Sequence, residues 1–426
     1  MKKKDILERR DTSDIFSVPV EQVLSSEYNR FRMDVVEYLR SRNYGVFYDE
    51  PQALWTKGCP LGNGDMGALV YGAPEAIHFA LGKTDLWDYR DYGEGMCPPV
   101  SIERLREIIK NNDYKAFIEA RERQAEAHRQ KPVITGKPGG MLRVELFGPS
   151  LPARYRQCLN IADAECVIEW TPFGYGPPVH YEPDMYSHKV KLTSFIHSSV
   201  NVLCIKIRND MAGGWGNGVR FSYWRDKDPA AGESVIREEG RYRYIYQELP
   251  GGEYFILMAD TSNNGVRLSE SSGRIEGVFT PSGNDGYLYL TLVTSRDSRA
   301  PVKQAIENLE VVKESGWDKI ESTHRKWWHS YWRRGYVSTP FDVVEKYWYY
   351  ALYLQGSICR PGRLSPGLQG NWIKENYPAW NADFHNNINM QVLYWGQYTA
   401  NRLELGEPLY RLLNDVLERC KAETKR

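Results

Sequence analysis

Two asparagines in the last tenth of the sequence have the residue type and spacing of groups that position a water molecule or a sugar hydroxyl. Asn387 and Asn389 lie two residues apart in "HNNINMQVLYWGQY" (385–398), just before an aromatic segment. If residues 386–389 are extended, the alternation of side chains makes both amides point the same way. An amide supplies a donor and an acceptor but takes up no proton near neutral pH, so a carboxylate must act as the acid or base.

The same pair also has a purely structural interpretation, which the residues leave open. In that interpretation Asn389 caps a helix that begins at Met390, and Asn387 satisfies backbone groups of the preceding loop. Both interpretations place the pair at a junction between a loop and a helix.

Aromatic and ionisable residues surround the asparagine pair. The segment "GRLSPGLQGNWIKENYPAWNADFHNN" (362–387) is a long predicted loop, and long loops in compact domains are often functional. Aromatic faces pack against the C–H face of a sugar ring while its hydroxyls seek polar partners, although each of these rings could equally fill a core. The candidates for substrate binding are Trp372, Trp380, Asp383, His385, Tyr394 and Trp395.

Acid–base groups and metal ligands are scarce near the pair. Glu375 and Asp383 are the carboxylates of the loop, and loop carboxylates are more often solvated charges or turn caps. His324 and His329 are five residues apart, which fits a metal pair on one helix face poorly, and no third ligand is evident. We therefore predict no metal site and no organic cofactor.

A glycine-rich turn lies near the start of the predicted β region. The segment "WTKGCPLGNGDMGALVYG" (55–72) contains "GNG", but it lacks the GxxxxGK[ST] pattern of a phosphate-binding loop and no helix follows at once. The segment predicts a tight turn between two strands, where a positive φ is needed. A functional alternative is that the turn lines a domain interface near the active site.

The composition excludes some partners. Lys+Arg and Asp+Glu balance at 55 each, so nothing points to nucleic acid or an anionic membrane. The 13 Trp and 29 Tyr suit either a β core or a carbohydrate partner. The seven cysteines have long spacings and no CxxC motif, which indicates reduced thiols. The N-terminus has no apolar signal region and no apolar run reaches about 18 residues, so we expect a cytoplasmic chain.

The periodicity of apolar residues along the sequence changes twice, which predicts a mainly β chain followed by helices. A helical leader over 1–44 precedes an antiparallel β-sandwich over 45–300, because short strand-like segments there alternate with Gly, Pro, Asn and Asp clusters. A helical insertion at about 101–130 begins after Ser101, a plausible N-cap. Residues 301–338 predict a helical linker, and residues 339–426 predict further helices.

Three motifs in order resemble glycoside hydrolase family 95, the α-L-fucosidase and α-L-galactosidase group. Residues 54–87, "LWTKGCPLGNGDMGALVYGAPEAIHFALGKTDLW", are similar to the opening of that family. "SPGLQGNW" (365–372) resembles its L-Q-G-x-W loop, and "NINMQVLYW" (387–395) resembles its N-x-N segment and Tyr-Trp helix. "EPL" (407–409) also stands where the family often has it.

The resemblance implies a fold and a reaction. The fold is an N-terminal β-supersandwich, a helical linker and an α/α six-hairpin barrel, of which this chain would hold the first helices. The reaction is glycoside hydrolysis with inversion, in which one carboxylic acid protonates the leaving oxygen and a second carboxylate activates water. The resemblance gives Asn387 and Asn389 the role of positioning that water.

By the same resemblance, the general acid Glu and the base Asp lie beyond Arg426, so we expect the 426-residue chain to be inactive or nearly so by itself. Two alternatives remain open at this point. The chain could be a carbohydrate-binding protein without turnover, or it could belong to a glycoside phosphorylase.

Overall fold

The computed structural model describes residues 33–90, 101–129, 133–146, 152–172, 189–210, 218–262 and 266–424. The predicted helical leader over 1–44 therefore lies largely outside the described residues. Within it, helix α1 (Val35–Arg42) is present, capped by Asp34, whose side chain accepts a hydrogen bond from the Val36 amide. Its buried residues pack against the helices that follow the sandwich.

Two antiparallel sheets form the first part of the described chain. The strands are β1 (Phe47–Tyr48), β2 (Cys59–Gly62), β3 (Met66–Ala73), β4 (Ala76–Lys83), β5 (Gly140–Leu146), β6 (Pro152–Asn160), β7 (Glu165–Pro172), β8 (Val190–Ile196), β9 (Val202–Asn209), β10 (Val219–Trp224), β11 (Val235–Glu239), β12 (Tyr242–Glu248), β13 (Tyr254–Thr261), β14 (Arg267–Ser271), β15 (Arg274–Phe279) and β16 (Asp285–Thr294). The nine-stranded sheet has the order β1-β6-β7-β8-β9-β16-β13-β12-β11. The seven-stranded sheet has the order β14-β15-β10-β5-β4-β3-β2.

The alternation of apolar residues along each strand builds the core between the sheets. On the inner face of the seven-stranded sheet, Val70, Phe79, Leu142 and Tyr223 stand side by side in register on four neighbouring strands. All four are fully buried. Because successive strand residues face opposite sides, this row lies in the core, where each large apolar side chain contributes about 1.5–3 kcal/mol by burial.

Helices pack on the outer face of the nine-stranded sheet. The linker region contains α4 (Pro301–Ser315) and α5 (Trp317–Trp332). The buried stripe of α4, formed by Ala305, Leu309 and Val312, packs in one cluster with the outward residues of that sheet. The sheet therefore has apolar side chains on both faces, which explains why its strands read as nearly continuous hydrophobic runs.

Three further helices follow α5 in the chain, so the predicted order of β structure first and helices afterwards is confirmed. They are α6 (Asp342–Ile358), α7 (Ile388–Thr399) and α8 (Glu407–Thr424). Trp328 and Trp332 of α5 are fully buried together with Tyr353 of α6. These rings join the sandwich and the helices in one continuous core.

The insertion folds as two helices, α2 (Ile102–Lys110) and α3 (Tyr114–Arg129). Ser101 caps the first of them, as predicted, by accepting a hydrogen bond from the Arg104 amide at 3.1 Å. Ile108 is buried, while Ile102 and Ile109 are exposed.

The described cysteines are free thiols. Six of the seven cysteines are described, and none of these six forms a disulfide; Cys97 lies outside the described residues. Among the described helices, none has the length and apolar character needed to cross a lipid bilayer.

Candidate functional site

A groove of about 610 Å³ lies between α6, the loop that follows it, and the first turns of α7. We call residues 359–387, which join α6 to α7, the connecting loop. The groove is lined by Trp348, Ala351, Leu352, Leu354, Gln355, Ile358, Gly367, Leu368, Gln369, Gly370, Trp372, Asn389, Met390, Val392, Leu393 and Gly396. Apolar walls with a few amides are typical of a small-molecule site.

Helix α6 supplies one wall of the groove through residues on one face. Trp348, Gln355 and Ile358 recur at helical spacing along it. Gln355 is anchored because its amide nitrogen donates to the Leu393 carbonyl of α7 at 3.2 Å. This bond fixes the two helices that flank the groove relative to each other.

The glycine-rich turn at Gly62–Asp65 positions the end of α6. The Gly64 amide donates to the Ser357 carbonyl at 2.7 Å, and a Cβ on Gly64 would come within 2.8 Å of three carbons of the Arg360 side chain. Gly64 also has φ +87°, which suits glycine. The segment is thus a strand turn, as predicted, and it lies at the interface between the sandwich and the helices.

Side chains that reach back to the sandwich hold the connecting loop in place. Asn371 is fully buried, and its amide nitrogen donates to the Met66 carbonyl at 3.1 Å and to the Ser357 carbonyl at 3.2 Å. The indole nitrogen of Trp372 donates to the Leu61 carbonyl at 2.8 Å. The ring of Trp372 is therefore fixed at the edge of the groove.

A second anchor of the loop is Asn376. Its side-chain oxygen accepts from Arg225 at 2.7 Å, and its side-chain nitrogen donates to the Lys227 carbonyl at 2.7 Å. Its own carbonyl accepts from Thr135 at 3.2 Å and from the Lys137 ammonium at 3.3 Å. The sandwich thus fixes one residue of the loop through four hydrogen bonds.

The connecting loop is strained just before α7. Trp380, Asn381, Ala382 and His385 all have positive φ, between 31° and 57°, and such residues cost about 1–3 kcal/mol each. Tertiary bonds hold the segment: the Gly136 amide donates to Asn381 O at 3.0 Å, and the Leu368 amide donates to Asp383 O at 2.9 Å. Strain of this kind clusters at functional sites.

The strained segment carries several of the predicted site residues. His385 Nε2 lies 2.8 Å from Asp383 Oδ1, and the Trp380 ring meets the His385 ring edge-on at 5.8 Å. The Trp380 side chain is 74% exposed. These three residues form a small cluster, but none of them lines the groove.

The asparagine pair is placed differently from the extended arrangement that we predicted. Helix α7 begins at Ile388, so Asn387 occupies its N-cap position and Asn389 is already in the first turn. The extended alternation is therefore wrong, because the helix starts one residue before Asn389. The structural alternative is also wrong in detail, since the helix does not begin at Met390 and Asn389 is therefore not its N-cap.

Both amides are nevertheless accessible. Asn387 and Asn389 are exposed, and neither side chain is hydrogen-bonded to any residue that the structure describes. Asn389 lines the groove, while Asn387 lies outside its lining. The donors and acceptors of both amides are thus available to a ligand or to water.

The other two predicted aromatics lie away from the groove lining. Tyr394 is 1% exposed and its hydroxyl is 2.9 Å from the Ser365 hydroxyl, and burial raises the pKa of its phenol. Trp395 is 55% exposed on another side of α7. Trp372 is thus the one ring from the predicted set that lines the groove.

Among the lining residues that the sequence interpretation missed, three have polar or aromatic side chains suited to binding a sugar: Trp348, Gln355 and Gln369. The first two were hidden in a helix that is apolar on much of its surface, and their seven-residue spacing was the signal that could have found them. Gln369 lies inside the "LQG" segment, where its side-chain nitrogen donates to the Ala379 carbonyl at 3.3 Å. It therefore links the groove to the strained segment.

The arrangement can recognise an uncharged, hydroxyl-rich ligand. No Asp, Glu or His is among the lining residues, so the lining itself offers amides and indoles but no acid or base. Among the described residues there is also no group of three or more His, Cys, Asp and Glu side chains that could hold a metal ion.

Two family models and several known proteins are similar to this chain. Residues 46–292 match the glycosyl hydrolase family 65 N-terminal domain, and residues 319–426 match the glycosyl hydrolase family 95 catalytic domain. Alpha-L-fucosidase 2 of Arabidopsis thaliana is 20% identical over 431 residues, which cover 87% of this chain and 48% of the relative. Probable alpha-fucosidase A of Aspergillus niger is 41% identical over 75 residues, 18% of this chain and 10% of the relative.

A solved structure shares the fold. It is described as a putative kojibiose phosphorylase from human microbiome, and it superposes with a TM-score of 0.50 at 10% identity over 78% of this chain and 45% of that chain. At this identity the likeness concerns the fold alone. The present chain spans about half the length of the Arabidopsis relative, 48%.

A β-sandwich followed by helices agrees with these matches, which place the chain among the glycosyl hydrolases. The chain belongs to the glycosyl hydrolase family 65 N-terminal domain family through residues 46–292. Its helical part is family 95-like, as the sequence motifs predicted.

Proposed function

We propose that this chain is the sugar-binding part of an inverting α-L-glycosidase of the α-L-fucosidase type, and that the sugar binds in the groove beside α6 and α7. The supporting observation is the combination of the fixed Trp372 ring with the unoccupied amide of Asn389 at one groove. The ring offers a face for sugar C–H groups, and the amide offers both a donor and an acceptor to a hydroxyl.

We further propose that Asn387 and Asn389 orient the attacking water. Their side chains are exposed at the start of α7 and have no described protein partner, so they can hold a water as charge develops in the transition state. Inversion requires an acid and a base about 6.5–9.5 Å apart. We assign these roles to carboxyl groups outside the groove lining, which the family resemblance expects downstream of the asparagine pair.

We also propose a domain organisation for the chain. Residues 45–300 form the sandwich, 301–338 a helical linker, and 339–426 the first helices of an α/α barrel with the groove on its inner side. Trp380, Asp383 and His385 would then stand at the rim of the site, where the strained loop segment presents them.

Binding and turnover can be tested separately. Calorimetric titration with L-fucose and with 4-nitrophenyl α-L-fucoside measures binding to the full chain and to Asn389→Ala. We expect Asn389→Ala to weaken binding about fivefold, since a lost hydrogen bond is worth about 1 kcal/mol. Asn386→Ala is the matched control, because Asn386 is an exposed asparagine three residues earlier that does not line the groove.

The proposal fails if neither sugar binds, or if Asn386→Ala and Asn389→Ala lose binding equally. Turnover of the nitrophenyl glycoside is followed by NMR in the same samples, with and without phosphate. Release of the inverted sugar supports hydrolysis, whereas formation of a sugar 1-phosphate supports the phosphorylase alternative. Binding without any turnover agrees with the expected inactivity of this chain by itself. It is equally the result expected of a carbohydrate-binding protein, the second candidate, which the absence of Asp, Glu and His from the groove lining favours.

A further inference from the structure

A second cavity, of about 270 Å³, lies between the sandwich and α8, and it is distinct from the groove. Its walls come from the segment after β4, from the end of β16, from the connecting loop and from α8. The lining residues are Thr84, Trp87, Asp88, Tyr89, Arg296, Arg363, Leu364, Ser365, Phe384, Pro408, Arg411, Leu412 and Asp415. None of them lines the groove.

Three guanidinium groups face this cavity from three different parts of the chain. Arg363 Nη1 donates to Asp65 at 2.9 Å, and Arg296 Nη1 lies 3.4 Å from Glu253 Oε1. Arg411 Nε is 3.9 Å from Asp415 of its own helix. A guanidinium has five N–H donors, so each of the three keeps N–H groups for which the described residues offer no acceptor.

Apart from Asp415, a largely exposed carboxylate that lies 3.9 Å from Arg411 Nε, the other polar side chains of the lining are already occupied. Asp88 is bound in two places by the guanidinium of Arg90, so its charge is compensated. The Thr84 hydroxyl donates to Asp65 at 2.8 Å, and the Ser365 hydroxyl pairs with Tyr394 at 2.9 Å. The unused hydrogen-bonding capacity of the cavity therefore consists mainly of cationic donors, which match a ligand with anionic acceptor oxygens.

The remaining wall is apolar and aromatic. The rings of Trp87 and Phe384 are stacked with their centres 5.2 Å apart, and Leu364, Pro408 and Leu412 complete that side. A bare inorganic ion would fill only part of such a volume and would leave this wall without a partner. A ligand with a compact body beside its anionic group would use both sides of the cavity.

We propose that this cavity binds a monosaccharide-sized oxyanion, that is, a sugar ring carrying a carboxylate, sulfate or phosphoryl group. The oxyanion contacts Arg296, Arg363 and Arg411, and the ring packs against the apolar wall. Arg296 comes from the sandwich side, Arg363 from the connecting loop and Arg411 from α8. The site therefore exists only where these three parts meet. The inference does not depend on what binds in the groove.

The test is calorimetric titration of the full chain, at constant ionic strength, with glucuronate, glucose 6-phosphate, glucose 6-sulfate, inorganic phosphate and neutral glucose. At least one anionic sugar is expected to bind at least tenfold more tightly than both glucose and inorganic phosphate. The relative order of the three anionic sugars identifies the oxyanion. Arg411→Gln is expected to weaken that binding about tenfold, because one charged hydrogen-bond partner is lost.

Arg419→Gln is the matched control, since Arg419 is exposed two turns further along the same helix and does not line the cavity. Arg296→Gln provides a second, independent variant from the sandwich side. The inference is overturned if no anionic sugar binds, if glucose or inorganic phosphate binds as tightly, or if Arg411→Gln and Arg296→Gln bind as well as the control. Fucose binding is expected to be unchanged in Arg411→Gln, which separates this result from the test of the groove.

Discussion

Individual residues set how closely the sandwich and the helices approach each other. Gly64 packs directly against the side chain of Arg360, which is buried and stacks on the Trp327 ring with the guanidinium carbon 3.5 Å from the ring centre. Burial lowers the pKa of this guanidinium to about 9. Arg360 therefore has little freedom to move away from a larger residue at position 64.

We expect Gly64→Ala to destabilise the protein more than an alanine at an open glycine with a similar backbone. At Gly273, φ is +73° and no atom lies within 4 Å of the position that a Cβ would take, so alanine should cost about 1–2 kcal/mol through the left-handed backbone alone. At Gly64 the contact with Arg360 should add about 1–3 kcal/mol of overpacking. Urea unfolding of both variants measures the difference.

Equal losses in Gly64→Ala and Gly273→Ala would contradict this view, since they would show that Arg360 yields without cost. Alanine at 273 is the matched control because it introduces the same methyl group and the same backbone strain. It differs in lacking a neighbour across the interface.

At the residue scale, the sequence identified the types of the site residues better than their arrangement. Asn389 and Trp372 do line the groove, but Tyr394 is buried and Trp395 faces elsewhere. The sequence gives the relative positions of side chains around a helix. The packing of α7 against α6 and the connecting loop decides which of them face the groove.

Among the elements, the connecting loop does most to define the groove. It has little regular structure of its own, and its conformation depends on bonds to the sandwich through Asn371, Trp372 and Asn376. The cost of the strained segment at 380–385 must be offset by such tertiary contacts. The sequence predicted a long functional loop, but the partners that hold it lie more than 140 residues away in the chain.

We expect Asn376→Ala to loosen this loop. The change leaves Arg225 and the Lys227 carbonyl without their loop partner, and such a loss in a partly buried site costs about 1–3 kcal/mol. Hydrogen exchange should become faster across residues 362–387, and sugar affinity in the groove should fall because Trp372 is held less firmly.

Asn386→Ala serves as the control for Asn376→Ala, because Asn386 is exposed in the same loop and has no described partner. If hydrogen exchange in the loop were the same in both variants, the two side-chain hydrogen bonds of Asn376 would not be what holds it.

On the scale of the whole molecule, buried ionisable groups join the sandwich to α5. Arg325 forms two bonds to Glu165, at 2.6 and 2.8 Å, and His329 lies 2.7 Å from Asp163. His324 is 1% exposed, with its Nε2 3.0 Å from the Asp163 carbonyl. Burial, followed by the charges of His197 and Arg360, lowers the pKa of His324 well below its usual value.

This burial predicts a loss of stability in mild acid. Below about pH 6.5 the unfolded chain binds a proton on His324, whereas the folded protein keeps it neutral, so the free energy of unfolding falls by about 1.4 kcal/mol per pH unit for this group. His197, whose pKa burial lowers to about 4, contributes in the same direction between about pH 6.5 and 4. We expect His324→Gln to have a pH slope smaller by about 1.4 kcal/mol per unit between pH 6 and 5.

Urea unfolding at pH 7.5, 6 and 5 measures this slope. The comparison above pH 7 is the internal control, because there His324 is neutral in both states and the two proteins should change in parallel with pH. Identical slopes below pH 6 would show that His324 is not kept neutral in the folded protein.

The apolar surface of the molecule is also unevenly distributed. Large exposed apolar side chains recur on the last three helices, where they include Val343, Val344, Tyr347, Ile388, Val392, Trp395, Tyr398, Tyr410, Leu413 and Leu417. On the strands of the sandwich, by contrast, most large apolar residues are buried between the sheets or under α4.

The sequence by itself determined the order of a β-sandwich followed by helices, the strand-turn nature of the glycine-rich segment, and the family-95-like character of the helical part. These features follow from local periodicity, turn chemistry and short motifs, which residues close in the chain specify. The tertiary structure decided which side chains meet: the groove beside Trp372 and Asn389, the four hydrogen bonds of Asn376, and the three arginines around the second cavity. Those contacts join residues far apart in the chain, and their geometry depends on the packing of the sandwich against the helices.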